Sequence, residues 1–145
     1  MGRFGDGDIL ERSFTFTVKV LEFIKSLPKG QSYFLVSNQL GRSGTSVGAN
    51  LEEANAAISK KEFVKFVNIA KREAKESNYW LRLIVAANLA DMTSIKDLVS
   101  ESEEITKVLF SIVIKVNVEI VVRSFSSFSF AQNHAHLGHI RYYEE

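Results

Sequence analysis

The sequence predicts an all-α protein, an antiparallel up-down four-helix bundle followed by a C-terminal tail. Three observations carry that prediction. Four stretches repeat apolar residues every three or four positions, the spacing that gathers them on one helix face. The connections between the stretches are short, which favours antiparallel neighbours. One proline and eight glycines in 145 residues leave room for long uninterrupted helices. A chain of this length makes one domain and can bury roughly 68–70% of its unfolded surface without a metal or disulfide staple.

The first helix is expected from Asp8, placed as its N-cap, to about Leu27. Leu10, Phe14, Thr17, Leu21 and Ile24 form its apolar stripe, widened by Phe16, Val20, Phe23 and Leu27. Phe and Thr at 14–17 would also suit a strand, but the period favours helix. Pro28 and Gly30 end it.

The second helix, about Ser32 to Ile58, presents three facets. Val36, Leu40, Val47, Leu51, Ala54 and Ile58 make an apolar face, and Ser37, Gly41, Gly44 and Gly48 a face of very small residues. Interior glycines each cost roughly 0.8–1 kcal/mol relative to alanine, so three on one facet imply a closely approaching backbone. Gln39, Arg42, Ser46, Asn50 and Glu53 form a polar ridge with core-like spacing. That spacing implies a buried or half-buried hydrogen-bonded network, serving bundle register or a subunit interface.

The third helix runs from Lys60 to about Leu89, opened by a capping box in which Ser59 and Glu62 satisfy each other's backbone N–H groups. Phe63, Phe66, Val67, Ala70, Ala74, Ser77, Leu81, Ile84 and Val85 form its apolar face. Opposite lies a stripe of Lys61, Lys65, Arg72, Lys75, Tyr79 and Arg82. The fourth helix begins at Ser94, with Asp97 as a weaker box, and buries Ile95, Leu98, Ser102, Ile105, Leu109, Ile112, Val116 and Ile120. Its β-branched end, Ile112–Val122, also reads as a strand, but a lone strand has no partner, so helix is expected to about Arg123. This makes residues 8–123 the bundle domain and 124–145 a mobile tail.

Composition narrows the chemistry. With no cysteine, a disulfide framework, a thiolate nucleophile and Cys-ligated metal are excluded. A net charge of +1 excludes a polycation, so attraction to nucleic acid must come from uneven distribution. No apolar signal region opens the chain, and the most apolar stretch is interrupted by Lys115, Asn117 and Glu119. The expectation is a cytoplasmic protein with no membrane partner.

Four constellations are chemical candidates. Gly41–Gly48 looks like a phosphate loop but lacks the Gly-Lys-Ser/Thr ending and a preceding strand, so close packing is the better reading. His134, His136 and His139 have metal-ligand chemistry, yet sit near a terminus without neighbouring ligands, and no metal or cofactor is expected. Glu53 beside Arg42 and Asn50 reads as a structural ion pair or as a general base in a small enzyme. The third-helix stripe reads as a solvated face or as a surface for RNA or DNA, with Tyr79 a stacking group. Between Lys60 and Arg82, seven basic residues face three acids, Glu62, Glu73 and Glu76.

Three segments together resemble a known family. They are Arg42-Ser-Gly-Thr-Ser-Val-Gly-Ala-Asn-Leu-Glu-Glu-Ala54, Ser59-Lys-Lys-Glu-Phe63 and Lys71-Arg-Glu-Ala-Lys-Glu-Ser-Asn-Tyr-Trp-Leu-Arg-Leu83. They resemble the four-helix bundle proteins encoded in 23S rRNA intervening sequences, and Ile9–Phe14 is similar to the family's usual start. The resemblance spans roughly Asp8 to Lys115; beyond it the chain departs from the family's short basic ending. It implies a bacterial protein that is a ring-shaped homopentamer with no known enzymatic activity. A related branch, the accessory proteins of diversity-generating retroelements, binds nucleic acid and a reverse transcriptase. The expected function is therefore a non-catalytic oligomeric scaffold whose partners are itself and RNA, DNA or a nucleic-acid-processing protein. The alternative is a small enzyme using Glu53 and Arg42.

Overall fold

The computed structural model describes Phe4 and residues 8–137, with side chains as far as Phe128. Its helices are α1 (Asp8–Ser26), α2 (Gln31–Ala56), α3 (Lys60–Ala86) and α4 (Met92–Leu137). No strand occurs among the described residues. The protein is an all-α four-helix bundle.

Local chemistry sets most of the boundaries. Asp8 is the first helical residue rather than the cap and, with Glu11, places acid in the first turn of α1, where the helix dipole favours it. Ser59 Oγ accepts from Glu62 N at 3.1 Å, as the capping box requires. The Glu62 carboxylate reaches one residue further back than expected and accepts from Ile58 N at 2.8 Å. Asn88, at φ 54, stops α3 short of Leu89. Leu89 N donates to Ile84 O and Asn88 N to Val85 O, each at 2.9 Å, a Schellman cap with asparagine in the left-handed position. The weaker box at Ser94 does not form: α4 begins two residues earlier, and Ser94 Oγ donates to Asp91 O at 2.6 Å.

The helices alternate in direction. Along α1, Ser13 and Thr17 lie against Gly48, Val20 against Gly44 and Ile24 against Gly41, so α2 numbers fall as α1 numbers rise. Thr17 Oγ1 donates to Gly44 O at 3.0 Å. Between α2 and α3, the buried Ser77 Oγ donates to Ser43 Oγ at 3.0 Å. Asn78 Nδ2 joins α3 to α4 by donating to Ser102 Oγ at 3.0 Å. Arg12 closes the cycle from α1 to α4 with a two-pronged ion pair to Glu101, at 2.6 and 2.9 Å. The core these contacts surround is apolar: Phe16, Val20, Leu40, Val47, Leu51, Val67, Leu81, Ile84, Ile95, Ile105 and Leu109 are essentially inaccessible.

Two expected faces need correction. On α1 the buried residues are Ile9, Ser13, Phe16, Val20 and Phe23, whereas Phe14 is 67% and Leu21 42% exposed. Both facets are apolar, and the small facet of α2 decides between them. Only the Ser13–Val20 side fits against Gly44 and Gly48. Ile58 is also outside the core, at 92% exposure, because α2 ends at Ala56 and Ala57 is extended (φ −59, ψ 136).

The end of α4 differs as well. The helix passes Arg123 and the serine-rich run to Leu137. Ser124, Ser126 and Ser127 each donate to the carbonyl four residues back, at 3.0, 3.0 and 2.9 Å. Their hydroxyls are thus satisfied inside the helix instead of competing with it. The chain divides into two compact units, Met1–Val113 and Ile114–Glu145, with the boundary inside α4. Within the first unit α4 buries Ile95, Leu98, Ser102, Ile105, Leu109 and Val113, the last in place of Ile112.

The glycine facet gives a test. A Cβ on Gly44 would stand 2.9 Å from Val20 Cγ1, a buried branched side chain with nowhere to move. On Gly48 it would meet Thr17 Oγ1 at 3.5 Å, ordinary contact. Gly44→Ala should therefore destabilise by about 1–3 kcal/mol through overpacking. Gly48→Ala should stabilise by up to about 1 kcal/mol through helix propensity. Urea unfolding midpoints at constant m-value measure both.

Candidate nucleic-acid interface

The basic stripe is built by α3, whose apolar face fixes what points outward. With Phe63, Val67, Ala70, Ala74, Ser77, Leu81 and Ile84 buried, Lys61, Lys65, Arg72, Lys75 and Arg82 are all exposed. Tyr79, within the stripe, is 49% exposed and meets Trp80 edge-on, with ring centroids 5.0 Å apart. Among the described residues none of the five cations pairs with a carboxylate. Lys65 Nζ lies 5.3 Å from the Phe66 ring centroid, and Arg82 Nε donates to Asn78 Oδ1 at 2.9 Å. At 1.5 Å per residue the stripe is roughly 32 Å long.

Two of the acids on the same helix, Glu73 and Glu76, meet a cation from α2. Arg42 Nη1 contacts Glu73 Oε2 at 3.4 Å, and Arg42 Nη2 donates to Glu76 Oε1. Glu76 also accepts from Trp80 Nε1 at 3.2 Å. The Arg42 hydrogen bond, helped by that of Trp80, holds the Glu76 carboxyl below its ordinary range, and the same bond raises the Arg42 guanidinium. One cation from the neighbouring helix therefore offsets part of the charge of two carboxylates that would otherwise weaken the stripe's field more.

At its far end the stripe opens into a surface groove of about 300 Å³ between α3 and α4, lined by Lys75, Asn78, Arg82, Glu103, Thr106 and Lys107. Asn78 organises this edge. Its amide nitrogen is tied to Ser102 Oγ and its amide oxygen receives Arg82, so the guanidinium is positioned by the α3–α4 packing. Lys107 is paired with Glu104 at 2.7 Å, which raises the ammonium. Sequence reasoning did not single out Asn78 or Lys107. Asn78 stood inside a motif quoted for resemblance, but its bond to α4 spans a sequence separation that no periodicity reveals.

The polar ridge of α2 does not form the expected network. Gln39, Ser46 and Asn50 are half-buried, while Arg42 and Glu53 are exposed. Asn50 Nδ2 donates within its own helix to Ser46 O at 2.8 Å. Arg42 turns to α3, and Glu53 lies about 16 Å further along the α2 axis, so the two are not brought together. Gly44 and Gly48 face α1 of the same chain. The described residues contain no cluster of metal-ligating side chains. The side chains of His134, His136 and His139 lie outside the described residues.

An all-α four-helix bundle with one basic helix face is the class defined by this geometry. The chain belongs to the 23S rRNA-intervening sequence protein family, which it matches over residues 6–111. It is also similar to the crystal structure of a protein of unknown function from the S23 ribosomal protein family of Bacteroides thetaiotaomicron VPI-5482. The two are 37% identical with a TM-score of 0.68, over 72% of this chain and 97% of that one. No curated protein matches the sequence.

The Arg42–Glu76 pair makes a pH-dependent prediction. The carboxyl's folded value is depressed, so its stabilising contribution is present above the unfolded value near 4.5 and is lost as pH falls through the lowered folded value. Arg42→Ala should cost about 0.5–1 kcal/mol at neutral pH, the range for an exposed pair. Its stability deficit relative to wild type should stay constant down to about pH 5 and shrink below that. Denaturant titrations from pH 7 to pH 3 measure this deficit.

Proposed function

We propose that this protein is a non-catalytic, ring-forming scaffold that binds the phosphate backbone of RNA or DNA through the α3 stripe. The supporting observation is the separation of charge between two helices. Lys61, Lys65, Arg72, Lys75 and Arg82 line one exposed face, while the charge of Glu73 and Glu76 is partly offset by Arg42 on α2. One subunit offers about five phosphate contacts, which gives weak, sequence-independent binding with a steep salt dependence. Tyr79 adds a stacking surface for unpaired bases. The protein works in the bacterial cytoplasm; among the described residues no helix is long and apolar enough to cross a membrane.

The ring is a homopentamer. What supports assembly is the apolar ridge that α1 turns to solvent, Phe14, Val18 and Leu21. Phe34 and Leu35 at the start of α2 are exposed too. Contiguous apolar surface of this kind marks association sites, and a head-to-tail interface covering it closes into a ring. Repetition of the stripe around that ring raises avidity without new contacts.

Two measurements test the proposal. Binding to fluorescein-labelled duplex and single strands, followed by anisotropy, should fall with salt at a slope near −0.9 per contacted phosphate on duplex DNA. Replacing Lys65, Arg72 and Lys75 with Glu should abolish it without changing helix content or assembly mass; equal binding by that variant refutes the interface. Tyr79→Ala should weaken single-strand binding by roughly 1–3 kcal/mol and duplex binding less. In sedimentation, Phe14→Gln with Leu21→Gln should lower the assembly mass, and a wild type that is monomeric at micromolar concentration refutes the ring.

A further inference from the structure

Among its described residues, the second unit carries an exposed apolar surface. The family match ends at residue 111, whereas α4 continues to Leu137. Immediately beyond that match the helix presents Ile114, Val118, Val121, Phe125 and Phe128, all between 48% and 72% exposed. Their spacing is four, three, four, three, the d–a–d–a–d pattern of a two-heptad coiled-coil seam. Val122, 57% exposed, widens it at an e position. The charged residues of this segment, Lys115, Glu119 and Arg123, stand off the seam's a and d positions, and the g positions are Asn117 and Ser124.

We propose that residues 114–128 form a self-association helix that pairs with the same segment of a second copy of this chain. Three features point to a second copy as occupant. The seam is self-complementary: layers of Ile, Val and Phe meet layers of Ile, Val and Phe, with no polar residue at a or d. The flanking positions bring no cluster of like charges together, so pairing with itself meets no electrostatic opposition, and no excess of one sign marks the segment for an oppositely charged partner. The area is also sufficient. With side chains of this size, the exposed parts amount to on the order of 600 Å² per copy. Pairing two seams thus offers roughly 1,200 Å², the lower bound for a specific interface. The serine hydroxyls on the other faces are already bonded to the helix's own carbonyls. This association is separate from the proposed ring, which rests on the α1 ridge.

The chain has no cysteine, which makes cross-linking a clean test. Val121 is the centre of the seam and, as a d residue, faces its counterpart in a parallel pair. Full-length Val121→Cys should convert to covalent dimer under mild oxidation, with a yield that hardly changes over a tenfold dilution. Arg123→Cys, on the same helix but off the seam, should remain mostly monomeric covalently. Val118→Gln with Phe125→Gln, added to Val121→Cys, should remove the cross-link while circular dichroism shows the helix retained. Phe14→Gln with Leu21→Gln should leave it intact, so loss of the ring and loss of the seam are read separately. Equal cross-linking at 121 and 123, or a yield that falls in proportion to dilution, overturns the proposal. So does wild-type association with neutral phosphatidylcholine vesicles in place of cross-linking at 121, which would assign the seam to a lipid surface.

Discussion

The close approach of α1 to α2 at Gly44 is the constraint from which the rest of the bundle follows. Val20 occupies the space that any side chain at position 44 would need, and the Gly44 carbonyl is claimed by Thr17. Because one helix backbone sits this near the next, α1 has only one rotation available. That rotation turns Phe16 and Val20 inward and leaves Phe14, Val18 and Leu21 facing solvent. The apolar surface that α1 turns outward is thus a consequence of three glycines on a different helix.

Around this contact, each pair of adjacent helices is tied by at least one polar contact: Thr17 to Gly44, Ser77 to Ser43, Asn78 to Ser102, and Arg12 to Glu101. These bonds are not where most of the stability resides. A typical hydrogen bond nets about 1 kcal/mol, whereas burying one large aliphatic or aromatic side chain is worth roughly 1.5–3 kcal/mol. Their contribution is register. The buried serine pair meets at one sliding position only, although each hydroxyl also has a carbonyl acceptor on its own helix, Glu73 O for Ser77 and Leu40 O for Ser43.

The charge distribution depends on the same register. The protein is nearly neutral overall, yet its α3 helix displays a cationic face. Arg42 makes this possible by meeting Glu73 and Glu76 from across the α2–α3 seam, and it does so because Ser43, next to it in sequence, is locked to Ser77, next to Glu76 in space along α3. Asn78 plays the corresponding part on the other side, linking α4 to Arg82. Packing and surface electrostatics are set by neighbouring residues in one heptad-scale stretch of α3.

Helix existence, the α3 core face, the α4 core face as far as Leu109 and the Ser59 cap were legible in the sequence, because each depends on residues within a few positions of one another; beyond Leu109 the buried position is Val113, with Ile112, Val116 and Ile120 only half-buried. The exposure of the α3 stripe was legible for the same reason: a periodic apolar face fixes its opposite. The sequence also indicated that a backbone must come close to Gly41, Gly44 and Gly48. It did not indicate which backbone, and the tertiary structure assigns it to α1. That choice decided between two apolar facets of α1 of similar strength, a comparison that periodicity alone cannot resolve because both facets satisfy it. The tertiary structure likewise directed Arg42 away from Glu53, on the same α2 ridge, to Glu73 and Glu76 on α3. It also carried α4 through a serine run that composition alone reads as a break. Side-chain partners across helices depend on rotation and register, and these are set by packing volumes that a linear pattern does not contain.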